Sequence, residues 1–396
     1  MRWEMETKRI VMTSTFYPPY HLGGDATHVK ALKAELEKVG HEVHVLHSLD
    51  AFSLKKGSVG AIKPAPGVHA VEGGMGKWSA VATYLTGRNR AAERELERLI
   101  KEVGPDWVHH HNVSLLGARI LRRRGVPSVY TAHDYWLACP RSDLMFLGKE
   151  TCVRQRCTYC SLSTRRPPQL WRGRGMGPAL RSIDLFIAPS RFMADRLRSF
   201  LNIEAKVLPN FAAAPELPRE RLGGHFSFVG VLERNKGLDI LLQAFEDGRV
   251  KAGLHVMGRG SLEPLVREAE RTSGGRIAYK GFLEGGALWR EVASSQALVC
   301  PSTGNENSPL ACIEALALGI PLVVSPRGGL PELIGPPECG VIAELDPGSL
   351  AEALSRLSDP IIRNRLAENA FMRYQENHRP DVYVDNYLRL CGAMMG

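Results

Sequence analysis

No stretch of this chain stays apolar long enough to cross a bilayer: the longest runs are short segments such as Ile320–Val324, against the roughly 20 residues that a span needs. A signal peptide is missing too, since MRWEMETKR leads straight into the strand-like IVMTSTF. Short-period repeats and low-complexity tracts are absent. These absences argue against a membrane-spanning or secreted protein and predict a cytoplasmic, globular one. The 396 residues, 44% hydrophobic and 23% charged, suffice for two or three domains that each bury a core. Acidic residues are scarce in one region only. Between Arg119 and Arg181, thirteen Lys or Arg face just Asp134, Asp143 and Glu150, which accounts for the net charge of +9. An anionic partner for this segment is expected: nucleotide phosphate, an anionic membrane surface or nucleic acid, with a merely solvated basic face as the alternative.

The eight cysteines form two sets. Cys300, Cys312, Cys339 and Cys391 lie scattered in apolar contexts and read as reduced core residues. Cys139, Cys152, Cys157 and Cys160 are clustered, with twelve, four and two residues between them. Four thiolates suit a structural zinc or an iron–sulfur cluster. Two disulfides or four free thiols are the competing readings, the former disfavoured in a reducing cytosol. The loop continues through residues 163–175, where Trp171 stands among arginines, a mixture suited to a membrane interface, a soluble acidic acceptor or a plain basic lid.

Two halves each alternate strand with helix. In the first, strands are predicted at Arg9–Phe16, Glu42–Leu46, Trp107–His110, Ser128–Thr131 and Leu185–Ala188, with helices at Asp25–Val39 and Ala91–Val103. The second restarts near Phe226, with strands at Phe226–Gly230, Leu254–Met257, Ile277–Lys280, Ala297–Val299 and Leu322–Val324 and helices between them. Such alternation predicts two doubly wound parallel sheets. The expected division is 1–206, with the Cys-rich loop 139–160 inside it, then 207–378, then a tail 379–396 returning to the first domain; the Pro/Ala-rich stretch 207–218 reads as the linker. His109, His110 and His111 tempt a metal reading, but alternation lets only His109 and His111 share a face, with no third ligand evident.

The segment Pro301–Pro321 carries the most chemistry. Ser308 suits an N-cap, Pro309 the first helical position and Gly319 the exit, which predicts a helix over 309–318. Its free amides favour an anion at Ser308–Leu310, with Glu306 just before the turn and Glu314 inside the helix. An anion flanked by two acceptor carboxylates suggests a phosphorylated polyol.

Over essentially its whole length the chain resembles the retaining glycosyltransferases of family 4, which have the GT-B fold. The matching pieces come in order: FYPPYHLGGDATHV, VHHHN, TAHDYW, KVLPNF, FVGVLERNKGLDILLQAF, VMGRGSLEPL, YKGFLEGGALWREVASSQALVCPS, ENSPLACIEALALGIPLVVS and GGLPELI. The resemblance implies an α/β fold of two facing Rossmann-like domains with a cleft between them. It implies transfer of a sugar from a nucleotide-sugar donor to a glycan or lipid-linked acceptor with retained configuration and no essential metal, at the cytoplasmic face of a membrane or in the cytoplasm. By position, Glu306 holds sugar hydroxyls, Glu314 accepts from the ribose, Lys236 neutralises the diphosphate, and Asn307, Ser308 and Leu310 line the diphosphate or sugar. Gly258 follows a strand on the donor side, Phe282 and Leu283 flank the base, Gly23 and Gly24 allow close approach from the first domain, and His133 lies beside the reacting sugar. One departure stands out: many relatives carry Arg where this chain has Val231, and Arg234 is the candidate substitute.

Two other functions compete. A nucleotide-sugar epimerase shares the architecture, but the GluAsnSerPro segment and LysGly loop favour transfer. A nucleic-acid module built on the cysteines and arginines is the third reading, and nucleic acid is not the expected partner.

Overall fold

The computed structural model describes residues 6–21, 23–56, 65–217 and 224–396. They form two compact units, one of Met1–Leu208 with Val384–Gly396, the other of Pro209–Tyr383.

The first unit is built on β1 (Arg9–Thr13), β2 (Glu42–Ser48), β3 (Val68–Val71), β4 (Trp107–His110) and β5 (Ser128–Thr131). A small hairpin follows, β6 (Met145–Phe146) and β7 (Glu150–Thr151), then β8 (Leu185–Ala188) and β9 (Ala205–Val207). Seven of these strands make one parallel sheet in the order β3-β2-β1-β4-β5-β8-β9. Ile10, Val11 and Met12 have no exposed surface, as expected of a strand covered on both faces. The helix Arg90–Val103 forms because Asn89 accepts a bond from the Ala92 amide, Leu96, Leu99 and Val103 share one buried face, and Gly104 ends it in a left-handed conformation.

The second unit repeats the plan with β10 (His225–Val229), β11 (Gly253–Met257), β12 (Ile277–Gly281), β13 (Leu298–Cys300), β14 (Leu322–Val324) and β15 (Gly340–Ile342), in the order β12-β11-β10-β13-β14-β15. Alternate residues of β14 serve opposite cores. Val323 packs with Phe226, Leu241 and Leu354, whereas Leu322 and Val324 pack with Ile313 and Leu316.

In both sheets the order reverses beside the first strand, between β1 and β4 and between β10 and β13. Loops leaving the carboxyl ends of those neighbours run in opposite directions and open a crevice. That rule marks two places to look for chemistry.

The division between the units falls between Leu208 and Pro209, inside the stretch 207–218; Val207 ends β9, and Asn210, Phe211 and Ala212 are buried, with the Asn210 carbonyl bonded to the His378 ring at 2.8 Å, while Pro218 lies outside the described residues. The helix Pro380–Met395 delivers Tyr387 to the first unit, where its hydroxyl accepts from Trp107 Nε1 (2.8 Å) and meets His109 Nδ1 (2.9 Å). Tyr387→Phe leaves two buried polar groups without this partner, and the expected cost is about 1–3 kcal/mol. A thermal unfolding scan should show a lower midpoint; an unchanged one contradicts this assignment.

Candidate functional site

Each unit carries polar residues at its own strand-order reversal. In the second unit, the loop after β10 turns at Arg234–Lys236 and the loop after β13 carries Glu306. Lys236 Nζ meets Glu306 Oε1 at 2.5 Å, and Ser302 donates to the same oxygen at 3.0 Å. Burial opposes the charge on Lys236, but the adjacent Glu306 carboxylate outweighs it and leaves the ammonium above its ordinary value. Two glycines allow this closeness. A Cβ on Gly237 would lie 1.9 Å from the Pro301 carbonyl oxygen, and one on Gly328 would lie 2.0 Å from that of Glu306.

The helix Leu310–Ala317 starts one residue later than the sequence suggests. Pro309 is its N-cap, with its carbonyl accepting from Cys312 (3.1 Å) and Ile313 (3.3 Å), and the buried Ser308 hydroxyl has no hydrogen-bond partner among the described residues. Ser308 is held instead through its carbonyl, which accepts from Asn210 Nδ2 at 2.9 Å. The amides of Leu310 and Ala311 precede the first intrahelical bonds, so this end keeps donors for an anion. Glu314 lies within the helix, and burial pushes its carboxyl up to about 8. Asn307 lies between Glu306 and Ser308 on the same loop.

Around this core, the Gly258 carbonyl accepts from the Tyr279 hydroxyl at 3.0 Å. Phe282 is half exposed, with the Arg259 guanidinium 5.3 Å from its ring centre, and Leu283 packs against the apolar core below. Arg234 is exposed and Val231 is 56% exposed. The structure gives the Arg234 side chain no hydrogen bond or ion pair among the described residues.

In the first unit, Gly23 adopts a positive φ of 85° as N-cap of the helix Gly24–Lys38. That places Asp25 beside Asn112, whose Nδ2 bonds Asp25 at 2.9 Å and Asp134 at 3.4 Å. Burial raises both carboxyls, Asp134 to about 7, with Asp25 adding repulsion. Next to them lies a stack of imidazoles. His111 Nδ1 meets His133 Nε2 at 2.9 Å, the His109 and His111 ring centres are 3.9 Å apart, and His28 lies 4.8 Å from His133. Desolvation lowers all four, His133 to about 4, so the stack is neutral at physiological pH. A helix residue, His28, and a strand-end residue, His133, join His109 and His111 in this stack, yet these rings do not form a group of three ligand atoms within 4.8 Å of one another.

Cys139, Cys152, Cys157 and Cys160 come together around one small cavity, and burial raises the first three, Cys139 to about 11. No three of these sulfurs lie within 4.8 Å of one another. Among the described residues, the one group of three ligand-type side chains with donor atoms within 4.8 Å of one another is His225, His255 and Glu291. Trp171 turns inward, bonding the Tyr84 carbonyl at 3.0 Å through Nε1 and packing against Arg172 and Trp136. It is not the membrane-facing aromatic that the sequence suggests. Among the described residues, no helix is long and apolar enough to cross a membrane.

Sequence reasoning passed over Asp25, His28 and Asp134. His28 had a readable signal, a histidine among the apolar Val29, Leu32 and Leu36 on the buried side of its helix. Asp25, Asn112 and Asp134 each lie in one of the quoted pieces, FYPPYHLGGDATHV, VHHHN and TAHDYW, but their meeting was not read because the three segments are distant in sequence.

Comparison with known proteins agrees with this architecture. Residues 22–212 match the model for Glycosyltransferase Family 4, and residues 223–359 that for Glycosyl transferases group 1. An uncharacterized glycosyltransferase of Methanocaldococcus jannaschii is 24% identical over 370 residues, covering 91% of this chain and 92% of that protein. Glycogen synthase of Mycobacterium tuberculosis is 27% identical over 393 residues, covering 92% and 90%. Among solved structures, sucrose-phosphate synthase from Thermosynechococcus elongatus superposes with a TM-score of 0.74 at 19% identity, covering 98% and 99%. An Anabaena protein, HepE, solved with UDP and glucose, gives 0.69 at 15% identity, covering 98% of this chain and all of that one.

The Glu314 carboxyl generates a stability prediction. Its value rises from 4.5 to about 8 on folding, so its contribution is full below pH 4.5 and is lost as pH rises towards 8. Glu314→Gln removes that loss. Denaturant unfolding should show the variant matching wild type near pH 4.5 and exceeding it by on the order of 3 kcal/mol near pH 8; a pH-independent difference overturns the assignment.

Proposed function

The chain belongs to the glycosyltransferases of family 4 and has the GT-B fold, and from that premise we propose that it moves a sugar from a nucleotide-sugar donor to a glycan or lipid-linked acceptor with retained configuration. The observation that carries this reading is the Lys236–Glu306 pair, set at a strand-order reversal beside a helix start. A cation, free amides and a carboxylate match the three parts of a sugar diphosphate. The Anabaena structure with UDP and glucose, of the same fold, supports that donor class.

In this reading Lys236 and the amides at Leu310 and Ala311 take the diphosphate, with Arg234 available from the exposed turn. Glu306 then turns from Lys236 to the sugar hydroxyls, Glu314 takes the ribose hydroxyls, and Phe282 with Leu283 flanks the base. The bond between the anomeric carbon and the phosphate oxygen breaks while the acceptor oxygen bonds on the same face. The acceptor proton passes to the departing phosphate oxygen. Counter-charge comes from Lys236 and backbone donors, so no divalent metal is assigned a role. His133, lowered to about 4, is a poor proton acceptor at neutral pH and is not assigned general-base work.

Lys236→Ala and Glu306→Gln are expected to lower kcat/KM by about 10²–10³, measured as sugar transfer with a donor found by thermal-shift screening. Donor incubated without acceptor should keep its configuration; its epimerisation would favour the competing enzyme class. Ribose hydroxyls want Glu314 ionised, so nucleotide affinity should rise from pH 6 to 8, by at most about tenfold per unit. Calorimetry of Glu314→Gln should show weaker binding without that slope, and a retained slope would sink the ribose assignment.

We place the acceptor at an anionic membrane surface. The support is the stretch 153–174, where Val153, Tyr159, Leu162 and Leu170 are exposed among exposed Arg154, Arg156, Arg165, Arg166 and Arg174. Leu162→Ser with Leu170→Ser should weaken flotation with vesicles containing phosphatidylglycerol. Equal flotation of wild type and variant contradicts a membrane role for these residues.

A further inference from the structure

We infer that Cys139, Cys152, Cys157 and Cys160 ligate a four-iron, four-sulfide cluster that fastens the loop between β5 and the helix Arg172–Leu180. The four residues arise from different local structures. Cys139 follows the turn after β5, Cys152 follows β7, and Cys157 and Cys160 belong to the helix Cys157–Ser163, yet all four border the same small cavity. That convergence is not explained by a disulfide, since all four are free thiols in this structure.

The spread of the sulfurs selects the occupant. A tetrahedral zinc ion holds thiolates at about 2.3 Å, which brings every pair of sulfurs to within about 4 Å. No three of these sulfurs lie within 4.8 Å of one another. Sulfurs arranged around a space rather than gathered at a point suit a cubane in which each thiolate holds a different iron. The surroundings suit its charge. Four thiolates on such a cluster leave a net negative charge, and Arg156 lines the cavity together with Arg141, which is itself paired with Asp143 at 2.7 Å. The Leu147 amide donates to Cys160 Sγ at 3.3 Å, the kind of N–H to sulfur bond that stabilises metal-bound thiolates.

The loop's backbone also needs an anchor. Among the described residues, five non-glycine residues have positive φ, and Ser142, Leu144, Leu147 and Arg165 are four of them. Such conformations persist only where something else holds the chain, and β6 and β7 contribute just two residues each. The cluster is a fastener rather than part of the transfer chemistry.

The test is metal and sulfide analysis of the full chain purified without oxygen, repeated after reconstitution with ferrous iron and sulfide. About four iron and four acid-labile sulfide per chain are expected. Cys157→Ser and Cys160→Ser should each lose at least half of that iron. Hydrogen exchange over 139–165 should quicken by tenfold or more when the cluster is removed from wild type, a readout that does not depend on any variant folding. One equivalent of zinc without iron, or four titratable thiols and no iron after reconstitution, overturns the proposal.

Discussion

Lys236 and Glu306 reach one another only because β10 and β13 are neighbours while the strands that follow each of them lie on opposite sides. Parallel pairing sends every strand's carboxyl end the same way, and the reversal of order leaves two adjacent loops with no third crossing between them. A charge on each loop then meets across the gap. Without that constraint the pair would be a surface contact of little energetic consequence. With it, the two groups hold each other in a partly buried place.

The glycines follow from the same constraint. At Gly237 and Gly328 the neighbouring backbone lies where any side chain would have to begin. The second unit's strand exits are thus packed main chain to main chain at these two positions. Polar groups there carry an electrostatic cost. Glu314 is forced towards its protonated form by the packing that positions it, so the folded chain is destabilised wherever the pH would ionise it.

Much of this was legible because central parallel strands are short apolar runs. Trp107–His110, Ser128–Thr131 and Leu322–Val324 were read with their observed bounds. Val68–Val71 and Gly340–Ile342 escaped notice because an edge strand is exposed on one side and its pattern dissolves into the loops around it. Polar position was harder to read than polar identity. Ser308 has the right side chain for a cap, but Asn210 had already claimed its carbonyl from about a hundred residues away. Trp171 among arginines reads as an interfacial anchor, but its bond to the Tyr84 carbonyl and the nearby Gly87, whose missing side chain makes room for the indole, turn it inward.

The bonds from Tyr387 to Trp107 and His109 set an order of events during synthesis. The first unit cannot complete its histidine stack until residue 387 emerges, after the whole of Pro209–Tyr383 has been made. At roughly 5–20 residues per second, the amino-terminal half waits on the order of ten seconds or more with its central strand unsealed. The unit that begins first on the ribosome is therefore the one that finishes last.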